Sequence, residues 1–118
     1  MEYILVGLGG AMGSLTRYQL GKLISDKFKT SFPIGTFIIN ITGALLLGIV
    51  STIGVNNNLY MLLADGFLGA YTTFSTFMYE GFNLFNGKKI LNAFTYILGS
   101  LILGVIGYII GSTIGKGL

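Results

Sequence analysis

The chain alternates between long apolar stretches and short polar breaks. The apolar stretches cover about residues 3–24, 34–54, 59–85 and 90–114. The breaks between them read SDKFKTSFP (25–33), VNNN (55–58) and NGKK (86–89), and are rich in the charged residues, Asn and Pro that mark turns. Each stretch is near or above the roughly 20 residues that a helix needs to cross ~30 Å of hydrocarbon. The pattern predicts four membrane-spanning helices, antiparallel in succession because their connections are short, in a single domain over residues 1–118.

Composition supports a membrane protein and excludes several kinds of chemistry. Of the 118 residues 53% are hydrophobic and 9% charged, with a mean hydropathy of +0.79. The chain has no Cys, His or Trp and only four acidic residues, so zinc sites, thiol chemistry and Ser-His-Asp catalysis lack their residues. The net charge of +3 comes from basic residues at the ends of the stretches, which does not indicate nucleic-acid binding. We predict that the protein is not an enzyme.

The distribution of lysines predicts an orientation in the membrane. Four spans place breaks 25–33 and 86–89 on one side, and both termini with break 55–58 on the other. Five lysines lie at or beside the first pair of breaks, whereas Lys116 alone lies on the other side. By the positive-inside rule the two lysine-rich breaks face the cytoplasm and both termini lie outside.

The third apolar stretch contains a polar run, GAYTTFSTFMYE (69–80), where the chain otherwise looks buried in lipid. Gly66, Gly69 and the pair Thr72-Thr73 are poor helix formers in mid-span and predict an unwound turn. Unpaired backbone cannot face lipid, so this turn should line a cavity or coordinate an ion. The alternative is that the hydroxyl groups simply hydrogen-bond to the preceding helical turn.

Three side chains beside this run are candidates for function. Phe74 and Phe77 are three residues apart and share a helix face. They could be packing residues, or their positive ring edges could meet an anion. Glu80 is an ionisable group near the end of the span, which favours either a functional role or an interfacial one.

The other stretches add further candidates. Asn40 is a lone amide in the second stretch, and could either join helices or line a pore. Arg17 ends a small-residue stripe of the first stretch and could be a headgroup anchor or a functional cation. In the fourth stretch Tyr96 and Ser100 could extend a hydrogen-bonding track, while Gly107, Gly111 and Gly115 form a small-residue ridge typical of helix packing.

In these residues the chain resembles the Fluc (CrcB) fluoride channels. The resemblance covers nearly the whole chain through GGAMGSLTR (9–17), GTFIINITG (35–43) and GFLGAYTTFSTFMYE (66–80), in the order and spacing of that family. It implies an all-α membrane protein of four helices, with the third broken, that forms an antiparallel dimer with two fluoride pores between the subunits. The implied function is passive export of cytoplasmic fluoride through the plasma membrane, which protects enzymes that fluoride inhibits.

The resemblance also implies roles for individual residues. Gly69 and Thr72 would offer backbone carbonyls to a structural Na⁺ at the dimer centre. The pore lining would comprise Asn40, Phe74, Phe77, Thr76, Glu80, Tyr96 and Ser100. Arg17 would lie at an aqueous vestibule and attract anions. Asp65, the pair Ala70-Tyr71 and Gly104 depart from the family's pattern and affect the expected pore lining.

Two alternatives remain open at this point. The lysine bias favours one fixed orientation and hence a heterodimer with a related, oppositely inserted chain, whereas the complete motif set favours a homodimer. A small multidrug transporter shares the length, the four spans and the inverted dimer. Its coupling carboxylate lies in the first helix, where this chain has none after Glu2.

Overall fold

The computed structural model describes residues 2–28 and 32–118, and over these residues the protein is helical with no strand. Lys29, in the break at 25–33, lies outside the described residues. Helices α1 (Glu2–Lys27), α2 (Ile34–Thr52) and α6 (Ile90–Gly117) are continuous. Between α2 and α6 the chain forms α3 (Asn57–Tyr60), a π-helical segment (Met61–Leu68), α4 (Gly69–Tyr71) and α5 (Phe74–Asn86).

The third apolar stretch is a broken helix, as its sequence predicts. Thr72 (φ −78°, ψ 157°) and Thr73 (φ −145°, ψ 122°) are extended, and they separate a first half of residues 57–71 from a second half, α5. The predicted contribution of glycine to the break is wrong. Gly69 is helical (φ −61°, ψ −36°), and Gly66 lies within the π-helical segment, so the interruption falls on the two β-branched residues alone.

Glycine instead lets helices approach closely. A Cβ atom on Gly66 would lie 2.7 Å from the carbonyl oxygen of Val6 and 3.0 Å from the Cα of Gly9, both on α1. The predicted ridge on α6 is confirmed, because Cβ atoms on Gly107, Gly111 and Gly115 would meet the backbone of α2. Small residues therefore form both main helix contacts, α1 with the first half of the broken helix and α2 with α6.

Two apolar clusters hold the two halves of the broken helix. Beyond the break, Phe77 and Leu84 pack on Ala93 and Tyr96 of α6. Before it, Leu68 and Tyr71 pack on Ile39 of α2, and Tyr71 also stacks on Phe67 with ring centroids 5.9 Å apart. Each half is thus fixed to a different partner, which holds the extended pair between them in place.

The outer surface is strongly apolar. On α6 alone, Leu101, Ile102, Val105 and Ile109 are each at least 57% exposed. Among the described helices, α2 and α6 are long and apolar enough to cross a membrane, with mean hydropathy values of 2.0 and 2.1. Helix α1 has 26 residues but contains several charges, and the break divides the third region into shorter pieces. The helices coincide with the predicted stretches to within a few residues.

Candidate functional site at the helix break

The break is held by the side chain of Asn40 from α2. Its Nδ2 donates to the carbonyl of Thr73 at 3.0 Å, and its Oδ1 accepts from the amide of Thr73 at 2.9 Å. Asn40 therefore satisfies both backbone polar groups of one extended residue, as unpaired backbone in a membrane segment requires. These hydrogen bonds join α2 to the break, which is one of the two roles open for this amide.

The two threonines of the break have different roles. The Thr72 hydroxyl donates to the carbonyl of Leu68 at 3.0 Å. This is a hydrogen bond to the preceding helical turn, the alternative that the sequence left open for these hydroxyls. The Thr73 hydroxyl accepts from the amide of Thr76 at 3.2 Å and so caps the N-terminus of α5. The Thr72 hydroxyl proton is used within its own helix, whereas the Thr73 hydroxyl only accepts and can still donate to a ligand.

The break also releases backbone carbonyls. In a continuous helix the amide of Thr73 would bond to the carbonyl of Gly69, but here it bonds to Asn40. The last carbonyls of the first half, starting at Gly69, thus lose their helical partners, as at any helix C-terminus. Gly69 is exposed and Thr72 half-buried, so both are near the surface of the single chain.

A small cavity, the inner cavity, lies beside the break with a volume of about 250 Å³. Its lining consists of Asn40, Thr72, Thr73, Phe74, Phe77, Ser100 and Leu101. The rings of Phe74 and Phe77 are 6.2 Å apart between centroids, and differ in burial: Phe74 is 74% exposed and Phe77 only 8%. Four of the seven residues predicted to line a pore thus meet in one space: Asn40, both phenylalanines and Ser100.

Tyr96 and Ser100, one turn apart on α6, have buried hydroxyl groups with no hydrogen-bond partner among the described residues. Tyr96 is fully buried, and its ring packs against Phe77 with centroids 5.1 Å apart. Burying a hydroxyl without a partner costs free energy, so each such group needs an explanation. Ser100 lines the inner cavity, so its hydroxyl could meet a ligand there, whereas Tyr96 lines neither this cavity nor the larger one nearby.

A larger cavity, the outer cavity, has a volume of about 730 Å³ and opens among α1, the start of α2, α5 and the loop before α6. Its wall includes Arg17, Thr76 and Glu80, three of the predicted site residues. Thr36, which sequence analysis does not single out as a pore residue, donates a 2.5 Å hydrogen bond to Glu80. Thr73 lines both cavities, so both spaces adjoin the break.

The structure also assigns positions to residues that depart from the family pattern. Asp65 is exposed on the π-helical segment, whereas Tyr71 is buried and its hydroxyl lies 3.0 Å from that of Thr42. A Cβ atom on Gly104 would meet nothing within 4 Å. Within the described ranges, no group of three or more His, Cys, Asp or Glu side chains could hold a metal ion.

Comparison with known proteins identifies the family. The model of the family described as "CrcB-like protein, Camphor Resistance (CrcB)" matches residues 4–112. The chain belongs to the CrcB family. It is 66% identical to "Fluoride-specific ion channel FluC 2" of Clostridium acetobutylicum over 104 residues, which cover 88% of this chain and 89% of the relative.

Two further relatives carry related names. The chain is 47% identical to "Fluoride-specific ion channel FluC 2" of Bacillus cereus strain ATCC 10987, over 88% of each protein. It is 40% identical to "Fluoride-specific ion channel FluC" of Aquifex aeolicus, over 96% of this chain and 95% of the relative. The family resemblance found in the sequence is confirmed. So is the prediction that this CrcB protein is a membrane protein and not an enzyme, because its relatives are ion channels.

Proposed function

We propose that the protein is a fluoride-selective channel through which fluoride leaves the cytoplasm passively, down its own gradient. The observation that carries this proposal is the inner cavity, where two phenylalanines and several polar residues line a helix break, in a chain whose relatives are named fluoride-specific channels. Fluoride holds its water shell tightly. A narrow pore can conduct it only if polar groups replace that shell without trapping the ion.

The chemistry of the two cavities suits an anion. The free amides of α5 begin at the break, and the N-terminus of a helix favours negative charge. In the proposed path the ion passes Arg17 and Thr76 in the outer cavity, then reaches the two phenylalanines at the break. Asn40 would offer the N–H that Thr73 does not use, and Tyr96 with Ser100 would offer their unpartnered hydroxyls.

The proposal includes an inverted dimer with a pore on each side of its centre. Asp65 and Gly69 lie one turn apart on the first half of the broken helix, and both are exposed. A carboxylate and released backbone carbonyls at membrane depth cannot face lipid, so a second protein surface should cover them. The dimer would lie in the plasma membrane with breaks 25–33 and 86–89 on the cytoplasmic side, each chain crossing the membrane several times.

A structural Na⁺ fits the break only in such a dimer. Hard cations prefer oxygen ligands, and the carbonyls of Gly69 and Thr72 are at the negative end of a half-helix. One chain would supply two ligands, which is too few to replace a hydration shell, whereas two chains would supply four. When bound, the ion would neutralise the converging negative ends of the two half-helices.

Fluoride efflux from liposomes tests the proposal. Purified protein in vesicles loaded with potassium fluoride should release fluoride, detected by an ion-selective electrode, while vesicles loaded with chloride retain their ion. Phe74→Ile should slow release at least about tenfold, equivalent to roughly 1.4 kcal/mol of barrier. Equal release of both halides by the wild-type protein would refute selectivity.

The small multidrug transporter remains the alternative function, and no described contact favours it. The carboxylates of α1 are Glu2 and Asp26, both at helix ends and both exposed, whereas a coupling carboxylate should lie in mid-span. Proton-driven uptake of a lipophilic cation by the same vesicles would support that alternative.

A further inference from the structure

The outer cavity is larger than the path of a halide ion requires. Its volume of about 730 Å³ lies within the ~300–1,000 Å³ typical of small-molecule pockets. A halide and a few waters, at ~30 Å³ for each water, would occupy only a fraction of that space. The remaining volume is large enough for a second, larger occupant.

Three cationic side chains lie on the wall of this cavity. Arg17 and Lys22 are on α1, and Lys89 comes just before α6. None of the three makes an ion pair or a side-chain hydrogen bond with another described residue. Glu80 is the one carboxylate among the described lining residues, and it already accepts a hydrogen bond from Thr36. The cavity therefore carries an excess of positive charge.

Aromatic side chains lie on the same wall. Tyr18, within α1, is 67% exposed, and Phe28, just after α1, is 47% exposed. Deeper in the cavity, Ile39 and Leu84 add apolar surface. A lining that is cationic and apolar together suits an amphipathic anion better than a small hydrated one.

We propose that the outer cavity binds the headgroup of an anionic phospholipid from the leaflet next to breaks 25–33 and 86–89. The guanidinium of Arg17 would take the phosphate with paired hydrogen bonds, and Lys22 and Lys89 would add charge. Tyr18 and Phe28 would contact the glycerol and the first acyl carbons. Basic pockets between membrane helices on the cytoplasmic side are suited to such headgroups. The site shares the outer cavity with the proposed ion path, but its test measures lipid binding and not transport.

Native mass spectrometry of the full-length protein in detergent tests the site without measuring transport. The probes are dioctanoyl-phosphatidylglycerol and dioctanoyl-phosphatidylcholine, which have equal chains and different headgroup charge. We expect the wild-type protein to retain the anionic lipid about tenfold more tightly. Arg17→Gln and Lys22→Gln should each remove most of this preference. Lys116→Gln, which removes a cation at the far end of α6, should leave it unchanged.

Three outcomes would overturn the proposal. The first is equal retention of the two lipids by the wild-type protein. The second is a preference that survives both Arg17→Gln and Lys22→Gln. The third is loss of the bound lipid on addition of millimolar inorganic phosphate, which would show that the cavity binds soluble phosphate instead. If Arg17→Gln does not fold, Lys89→Gln provides the same comparison from the opposite wall, and Arg17→Lys should retain part of the preference.

Discussion

Asn40 shows how one side chain can make an irregular backbone tolerable inside a membrane protein. Its amide group gives and receives one hydrogen bond with Thr73, so neither backbone group of that residue is left unpaired. The same side chain lies on the wall of the inner cavity. Its structural role and its proposed pore role therefore use different N–H groups of one amide.

Replacing Asn40 by aspartate should destabilise the break. The new carboxylate would keep an acceptor for the Thr73 amide, but would place its second oxygen against the Thr73 carbonyl. A lost hydrogen bond with its buried partner left unpaired costs about 1–3 kcal/mol. The thermal unfolding midpoint of Asn40→Asp in detergent should fall accordingly. The control is Asn58→Asp, at an exposed amide in α3. Equal midpoints for the two variants would argue against the bridging role.

Substitutions of the two phenylalanines should affect stability and conduction to different extents. Phe77 is buried against Tyr96, so Phe77→Ala should lower the free energy of unfolding by about 3–5 kcal/mol. Phe74 is largely exposed in the single chain, so Phe74→Ala should cost much less while still slowing fluoride efflux. Unfolding and efflux measured on the same two preparations make the comparison. A larger loss of stability for Phe74→Ala would contradict it.

At the scale of elements, glycine determines which helices lie side by side. A Cβ atom on Gly13 would lie 2.9 Å from the backbone carbonyl carbon of Phe67, too close for a backbone contact to relax easily. The π-helical segment widens the turn at this same crossing, since the amide of Gly69 reaches back to the carbonyl of Ala64. The close contact of α1 with the broken helix thus depends on residues without side chains.

Gly13→Ala should therefore destabilise the protein, by about 1–3 kcal/mol if neighbouring backbone has to shift. Gly7→Ala is the matched control on the same helix, because nothing lies within 4 Å of its added Cβ atom. That variant should be neutral or slightly stabilising, since alanine favours helix over glycine. Unfolding midpoints in detergent give the comparison, and a Gly13→Ala midpoint at or above that of Gly7→Ala would refute the packing argument.

Sequence reasoning locates the elements better than the details of the break. Long apolar stretches determine helices through local composition, and two adjacent β-branched residues in mid-span are enough to indicate an interruption. The prediction that Gly66 contributes to the break is wrong. Gly66 packs against α1, and this tertiary contact cannot be predicted from local helix propensity. The pairing of Thr36 with Glu80 joins residues 44 positions apart, and only the folded chain brings them together.

At the scale of the whole molecule, the lysine bias bears on the choice of partner. A chain that inserts in one orientation needs a related chain of opposite orientation to make an inverted dimer, whereas a chain that inserts both ways can pair with itself. Five loop lysines against Lys116 favour the fixed orientation.

Labelling of single cysteines in intact cells should decide between the two modes of insertion. The wild-type chain has no cysteine, so Lys88→Cys and Lys116→Cys each introduce one thiol. With fixed insertion, a membrane-impermeant maleimide applied outside should label the cysteine at 116 and not the one at 88. Labelling of both from outside would indicate insertion in both orientations and remove the reason to expect a heterodimer.

Thr73 has a consequence for anyone who wishes to retune this protein toward another anion. Its backbone holds Asn40, its hydroxyl caps α5, and it forms part of both cavities. A substitution there would alter several properties at once, and its effects could not be assigned to one of them. Directed evolution of selectivity should therefore begin at exposed neighbours such as Phe74, and Thr73 should be kept unchanged in the library.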